Sequence, residues 1–331
     1  MTSFPKVDKI WMDGRLINWD EAKIHVLSHT LHYGSGVFEG IRCYATDRGP
    51  AIFRLREHID RLYKSARVFH MKIAWTKEEI CEACSELIRV NRLESGYLRP
   101  LVFFGYGMLG LNPGNNPVSV VLAAWPWGKY LDDEKIRVKV SRFIRIHPRS
   151  TIANAKLCGH YVNSILASQE AKESDYHEAL LLDYNGYVAE GPGENLFLVK
   201  DGILKTPPLG AILPGITRAS VLELASDLGY EVEEVPLTVA GVQAADEAFF
   251  TGTAAEVTPI HQIDETILGT GKVGPVTTRI RKEFYEIVSG RRPRYDTWLT
   301  YVSRAEFAEP ARGAKPPLAA AGDGHPAESA R

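Results

Sequence analysis

Lys156 lies in STIANAKLCGHY, where Ile152, Ala153, Ala155 and Leu157 surround one ammonium with small or apolar neighbours. A lysine taken partly out of water holds its proton less tightly, and the free amine attacks carbonyl carbon. A merely solvated lysine is the reading that the local sequence leaves open. Glu190 stands in AEGPGENLF, at the end of an apolar run and ahead of Gly191-Pro192-Gly193. If enclosed there, its carboxylate needs a cationic partner to stay ionised. A solvated turn carboxylate is the competing reading.

Two segments have the composition of anion cradles. LPGITRASVLELASDLG (213–229) delivers the chain through Pro214-Gly215 to a helix whose first free N–H groups fall near residues 215–217, beside the Thr217 hydroxyl. Unpaired donors and the positive end of the helix dipole favour a phosphate or carboxylate. Gly252-Thr253-Ala254-Ala255, between two predicted strands, is a second place where backbone N–H groups converge. An ordinary Thr-capped helix and a tight strand connection are the alternatives. One lysine, one carboxylate and two anion cradles in the same half of the chain together suit an anionic carbonyl cofactor, which is what pyridoxal phosphate is.

Two further groupings carry less. Cys81-Glu82-Ala83-Cys84 has CxxC spacing but falls in a predicted helix without a second cysteine pair, and a tetrahedral zinc site needs four ligands. His25, His29 and His32 lack the intervening carboxylate of an HExxH helix and precede a turning Tyr33-Gly34-Ser35-Gly36. No metal is expected.

The elements that must position these residues follow from periodicity. Residues 7–12 and 15–19 flank Asp13-Gly14 as a hairpin. Ile59, Leu62, Tyr63, Ala66 and Phe69 recur at helical spacing over 56–69, and Thr76-Lys77-Glu78-Glu79 opens a second helix to 90 in capping-box order. Strands are predicted over 97–105, 117–124 and 136–146. A meander follows over 179–183, 187–190, 195–200 and 203–206, with turns at Asn185-Gly186 and Asp201-Gly202. Strands over 247–250 and 256–260 flank the second cradle. The mixture points to a mixed α/β (α+β) fold. Residues 1–128 are expected to form a smaller N-terminal α/β domain, 129–136 a linker, and 137–307 a larger C-terminal domain. The Ala/Pro/Gly-rich residues 308–331 are expected to be a disordered tail.

Composition bounds the partners. Among 331 residues, 39 Lys+Arg against 41 Asp+Glu leave a formal charge of −2, without the basic excess that nucleic acid or an anionic membrane surface attracts. The most apolar stretch, 118–127, is interrupted by Pro126 and far too short to span a bilayer. The N-terminal residues lack the apolar core of a signal peptide, and 4 cysteines do not make a disulfide framework, so a reducing, cytoplasmic compartment is the expectation.

Seven blocks in order now carry a resemblance: HTLHYGSGVFEGIRCY (29–44), FRLREHIDRL (53–62), YLRPLVF (97–103), AKLCGHY (155–161), LDYNGYVAEGPGENLFLVKDG (182–202), LPGITR (213–218) and GTAAEVTPI (252–260). Across roughly residues 5–290 the chain resembles the class IV, fold-type IV pyridoxal-phosphate aminotransferases, specifically the branched-chain amino-acid aminotransferases. The resemblance implies a barrel-like sheet in the C-terminal domain, with the cofactor between the domains. It implies Lys156 as Schiff-base lysine and proton shuttle, Glu190 as partner of the pyridine nitrogen, and Tyr161 as partner of the 3′-oxygen. The phosphate is assigned to Arg61, Ile216, Thr217 and Thr253. Helical periodicity alone would leave Arg61 in solvent.

For substrate, the resemblance implies backbone N–H groups around Thr253-Ala254 for the α-carboxylate, and an apolar wall of Tyr33, Phe38, Trp127, Tyr130 and Tyr161. Arg99 with Tyr33 would meet the distal carboxylate of glutamate. The expected reaction is ping-pong transamination between Leu, Ile or Val and 2-oxoglutarate, giving branched-chain 2-oxo acids and L-glutamate. The partners are small-molecule amino acids and 2-oxo acids, and the assembly a homodimer or dimer-based hexamer. A D-amino-acid aminotransferase and an aminodeoxychorismate lyase share the fold. A non-catalytic phosphate-ligand binding protein is the rival of another class. His160, where Asn is usual, and Leu157-Cys158, where smaller residues are usual, bear on substrate preference.

Overall fold

The computed structural model describes residues 5–128 and 136–303, so residues 129–135 of the predicted linker 129–136, Tyr130 among them, and the tail from 308 lie outside the described residues, while Ile136 opens a strand. An 8-stranded sheet is built from the first part of the chain. The predicted hairpin forms as Lys9–Met12 paired antiparallel with Arg15–Asn18, turning on Asp13 and Gly14, both of which have positive φ. The long strands Gly96–Phe104 and Val118–Trp125 pair along their whole length at the centre. The last strand, Leu299–Tyr301, returns from the far end of the chain to pair with Gly49–Phe53. Helices Leu55–Ala66 and Lys77–Val90 bury Ile59, Leu62, Ile80, Leu87 and Ile88 against this sheet. The second helix begins with the reciprocal cap that its sequence predicted, Glu79 N donating to Thr76 Oγ1 and Thr76 N to Glu79 Oε2.

The second unit closes on itself. Strands Ile136–Ile144, Glu178–Leu182, Val188–Glu190, Asn195–Lys200, Glu247–Gly252 and Glu256–Ile263 form a six-stranded ring, because Val188–Glu190 pairs both Glu178–Leu182 and Asn195–Lys200. Closure follows from side-chain alternation. Leu196, Leu198, Ala248 and Phe250 pack in one cluster, whereas Phe197, Val199 and Phe249 pack in another on the opposite face. Phe197 and Phe249 stack at 5.2 Å and 6°, both fully buried, and truncating either to Ala would cost about 3–5 kcal/mol.

Helices Ile216–Asp227 and Pro275–Val288 cover that outer face, and their cluster continues into Ala51, Phe53 and Leu299 of the first sheet. The two units therefore share a core. Ile136–Ile144 and Glu178–Leu182 run parallel, which requires a crossover; helix Tyr161–Glu173 supplies it. Lys156 lies on that crossover, just ahead of the helix.

Candidate active site

Lys156, Tyr161, Glu190, Arg61 and Thr253 line one cleft between the two units. Lys156 is placed by its backbone on both sides. Its N–H donates to Ser65 Oγ at 3.0 Å and its carbonyl accepts from Phe38 N at 3.2 Å. Its Nζ donates to Tyr161 Oη at 2.6 Å and stands 5.0 Å from the centre of the Phe38 ring. Tyr161 begins the crossover helix, so its hydroxyl is held five residues on from the lysine by local structure alone.

Glu190 ends its strand opposite Asn195, which donates Nδ2–H to Glu190 Oε2 at 2.9 Å. Leu213 N and Arg145 Nε donate to the same carboxylate. Burial raises the Glu190 carboxyl above the usual range; Arg145 and the Leu213 N–H act against that rise without cancelling it. A buried carboxylate with enhanced proton affinity suits an N–H⁺ partner such as a pyridinium. Arg145 directly follows strand Ile136–Ile144, and its buried cation was not foreseen in the sequence, where nothing near it signals Glu190.

Arg61 is largely withdrawn from solvent, its side chain 10% exposed. Its helix Leu55–Ala66 has an apolar face in the core and a polar one on which Arg61 lines the cleft, His58 is buried on Glu39, and Ser65 accepts from the Lys156 backbone. Nε and Nη2 donate to Glu39 Oε1 and Oε2 at 2.7 and 2.8 Å, and Nη1 donates to Pro214 O at 2.8 Å. Gly215 caps helix Ile216–Asp227, and a Cβ there would lie 2.0 Å from Asn195 Oδ1, so only glycine allows this approach. Ile216 and Thr217 form the first turn of that helix, where N–H groups have no intrahelical acceptor. Thr253 and Ala254 occupy the turn joining Glu247–Gly252 to Glu256–Ile263, with Gly252 and Thr253 on the cleft. Lysine, carboxylate, arginine and both cradles thus converge. The set fits pyridoxal phosphate: an amine for the carbonyl, an acid for the ring nitrogen, and cationic and N–H donors for the phosphate.

The substrate residues divide. Phe38 packs edge-on to Tyr161 at 4.8 Å. The Arg99 guanidinium lies 4.8 Å from the Phe38 ring, donates from Nη2 to Tyr97 Oη at 3.3 Å, and leaves its buried Nε unpartnered. Trp127 packs 5.1 Å from Tyr97. Tyr97 itself went unremarked in the sequence beyond its YLR block, yet its hydroxyl presses on Gly40, where a Cβ would be 1.8 Å away. None of Phe38, Arg99, Trp127 and Tyr33 lines the cleft directly; Phe38 adjoins it through Tyr161 and Lys156, with Arg99 behind, whereas Tyr33 turns elsewhere. It is 46% exposed, and its hydroxyl donates to Leu109 O at 2.8 Å. His160 and Glu194 line the cleft as well: burial drives His160 down to about 4, and burial with the nearby Glu178 pushes Glu194 up to about 8.

The residues set aside earlier are occupied structurally. His29 bonds Ser35 Oγ and Gly110 O, and His32 bonds Val26 O. Cys81 and Cys84 are unpaired; burial pushes the Cys81 thiol up to about 11 and raises that of Cys84 as well.

Known proteins share this arrangement of elements. The profile described as amino-transferase class IV matches residues 36–263. The branched-chain-amino-acid aminotransferase of Pseudomonas aeruginosa is 48% identical over 297 residues, covering 88% of this chain and 97% of that protein. The Escherichia coli K12 protein of the same name is 44% identical over 305 residues, covering 90% and 99%. Among solved structures, a branched-chain amino acid aminotransferase from T.th., complexed with N-(5'-phosphopyridoxyl)-L-glutamate, superposes with a TM-score of 0.88 at 50% identity, over 91% of this chain and 100% of that one. The same protein complexed with 4-methylvaleric acid gives 0.88 at 49%. With a profile spanning both walls of the cleft and relatives aligned over nearly the whole chain, the protein belongs to the class IV aminotransferases.

Proposed function

We propose that the protein exchanges amino groups between branched-chain L-amino acids and 2-oxoglutarate, using pyridoxal phosphate held in this cleft. The observation that carries the proposal is the contact of Lys156 Nζ with Tyr161 Oη inside a cleft that also presents Glu190 and Arg61. The names of the relatives support the substrate class. When bound, the cofactor supplies a carbonyl carbon to receive the amine and a ring to store the electron pair released at the substrate Cα.

The chain's own residues do the rest. Lys156 Nζ would give the anchoring amine and, once free, would carry a proton between the substrate Cα and the carbon that the cofactor's carbonyl supplied. Tyr161 Oη holds Nζ in reach. Glu190 accepts from the ring N–H and keeps that nitrogen protonated. Arg61, the N–H groups of Ile216 and Thr217, and the Thr253 hydroxyl grip the phosphate. Backbone N–H groups at Thr253 and Ala254 orient the α-carboxylate. Phe38 and Trp127 shape an apolar pocket, and Arg99 meets the distal carboxylate of glutamate.

Tyr33 lies half-exposed in an apolar patch, which supports a homodimer or a dimer-based hexamer that would cover it. Its neighbours Val26, Leu31, Tyr106, Met108 and Leu111 are exposed apolar side chains on the same two adjoining segments. No helix among the described residues is long and apolar enough to cross a membrane. The unpaired state of Cys43, Cys81, Cys84 and Cys158 supports a reducing, cytoplasmic setting.

The test is a half-reaction panel on the purified yellow protein. L-leucine, L-isoleucine, L-valine and L-glutamate are expected to bleach it. Bleaching by D-alanine alone, or turnover of aminodeoxychorismate alone, would replace this reading with the corresponding enzyme. A protein that binds cofactor and answers to none of these would be the non-catalytic binder.

A further inference from the structure

Glu39 is the most deeply buried carboxylate beside the cleft, with no exposed surface, and the proposed chemistry gives it no role. It directly follows strand Gly36–Phe38, and the two side chains point opposite ways: Phe38 toward Lys156 and Tyr161, Glu39 toward helix Leu55–Ala66. Its own N–H is fixed on Pro100 O at 2.8 Å. Oε1 accepts from Arg61 Nε, and Oε2 accepts from both Arg61 Nη2 and His58 Nδ1, the latter at 2.7 Å. Because an ionised carboxylate only accepts, Nδ1 of His58 carries the proton. Burial alone would raise Glu39, but the Arg61 charge and the hydrogen bonds from Arg61 and His58 hold it well below the carboxylate range. Burial lowers His58, so its ring is neutral.

We infer that Glu39 is a positioning residue that clamps one edge of Arg61 so that the opposite edge of the guanidinium faces the cofactor phosphate. This rests on the reading of Arg61 as a phosphate ligand. The donor inventory carries it. A guanidinium has five N–H bonds. Glu39 takes those of Nε and one of Nη2, and Pro214 O takes one of Nη1, which leaves one N–H on each terminal nitrogen. Arg61 lines the cleft, and Pro214 immediately precedes the Gly215 cap of helix Ile216–Asp227. The two remaining donors therefore stand beside the unpaired N–H groups of that first turn. Paired with Glu39, Arg61 acts through direction more than through net charge. The clamp also joins the two units at this end of the cleft, since Glu39 and Arg61 belong to one and Pro214 to the other.

The experiment compares pyridoxal phosphate with pyridoxal, which lacks the phosphate, by equilibrium dialysis of the full-length protein against graded concentrations of each. E39Q and E39D are expected to weaken pyridoxal phosphate at least tenfold while changing pyridoxal much less, so the ratio of the two dissociation constants collapses. E39D keeps the charge and shortens the reach, so it remains informative if E39Q does not fold. R61A is expected to collapse the same ratio, and E39D added to R61A to change it no further. If R61A collapses the ratio while the folded Glu39 variants keep the wild-type value, or if they bind pyridoxal phosphate more tightly, the inference is overturned and Arg61 stands. If R61A itself leaves the ratio unchanged, the underlying reading of Arg61 falls.

Discussion

Lys156 Nζ and Tyr161 Oη are 2.6 Å apart, one turn of backbone separating the end of a crossover loop from the start of its helix. The phenol fixes an amine that would otherwise rotate on four flexible bonds. K156A is expected to lower transamination by more than about a thousandfold, and Y161F by about ten- to a hundredfold, as the loss of a proton carrier and of its support respectively. Single-turnover bleaching with L-leucine reads both. Wild-type rates in K156A would remove the mechanism.

Glu190 gathers donors from three separate segments, Asn195, Leu213 and Arg145, in a buried pocket. E190Q keeps the shape and loses the charge that would retain a proton on the ring nitrogen. The expected outcome is a fall in kcat of about a hundredfold or more with cofactor still bound through Lys156. Cofactor content and kcat, measured together, separate this from simple loss of binding.

How legible this site was depended on how local its parts are. Lys156 and the Glu190 strand end sit in short motifs whose geometry the neighbouring residues set, as do the turn at 252–255 and the Gly215 cap, whereas Tyr161 came only with the resemblance. Arg61 was legible only through a resemblance, because polar residues on an amphipathic helix ordinarily face water. Here the polar face of Leu55–Ala66 is buried against a second unit more than a hundred residues away, through Pro214. Glu39 and Arg145 find their partners the same way, at 22 and 45 residues' separation. Helix Tyr161–Glu173 left no periodic trace: it buries Ala167 and Ala171, while Val162, Ile165 and Leu166 are exposed. The edge strand Leu299–Tyr301 is three residues long and gains its identity from pairing with Gly49–Phe53.

Arg99 is held over Phe38 by aromatic faces and one hydrogen bond to Tyr97, with a buried Nε to spare. An incoming carboxylate is its natural second partner, whereas an aliphatic side chain offers it nothing. R99L is therefore expected to raise KM for glutamate and 2-oxoglutarate about ten- to a hundredfold, the worth of one charge-assisted hydrogen bond. KM for leucine should move little. Equal increases for both substrates would show that Arg99 supports the pocket wall rather than reading the distal carboxylate.

Glu194 has a different consequence, for stability. It packs between Gly191 and Gly252, accepts from Gly193 N at 3.1 Å, and is pushed up to about 8 by burial and by the neighbouring Glu178. Its unfolded value is near 4.3, so between roughly pH 4.3 and 8 the native state binds the proton that the unfolded chain has released. Stability from this group is thus greatest at low pH and declines as pH rises through that window. E194Q carries the neutral form at every pH. Its thermal midpoint, relative to wild type, is expected to rise steadily from pH 5 to pH 8.5. A constant difference across that range would mean that Glu194 is already ionised in the folded protein, with a cation beside it that the geometry does not show.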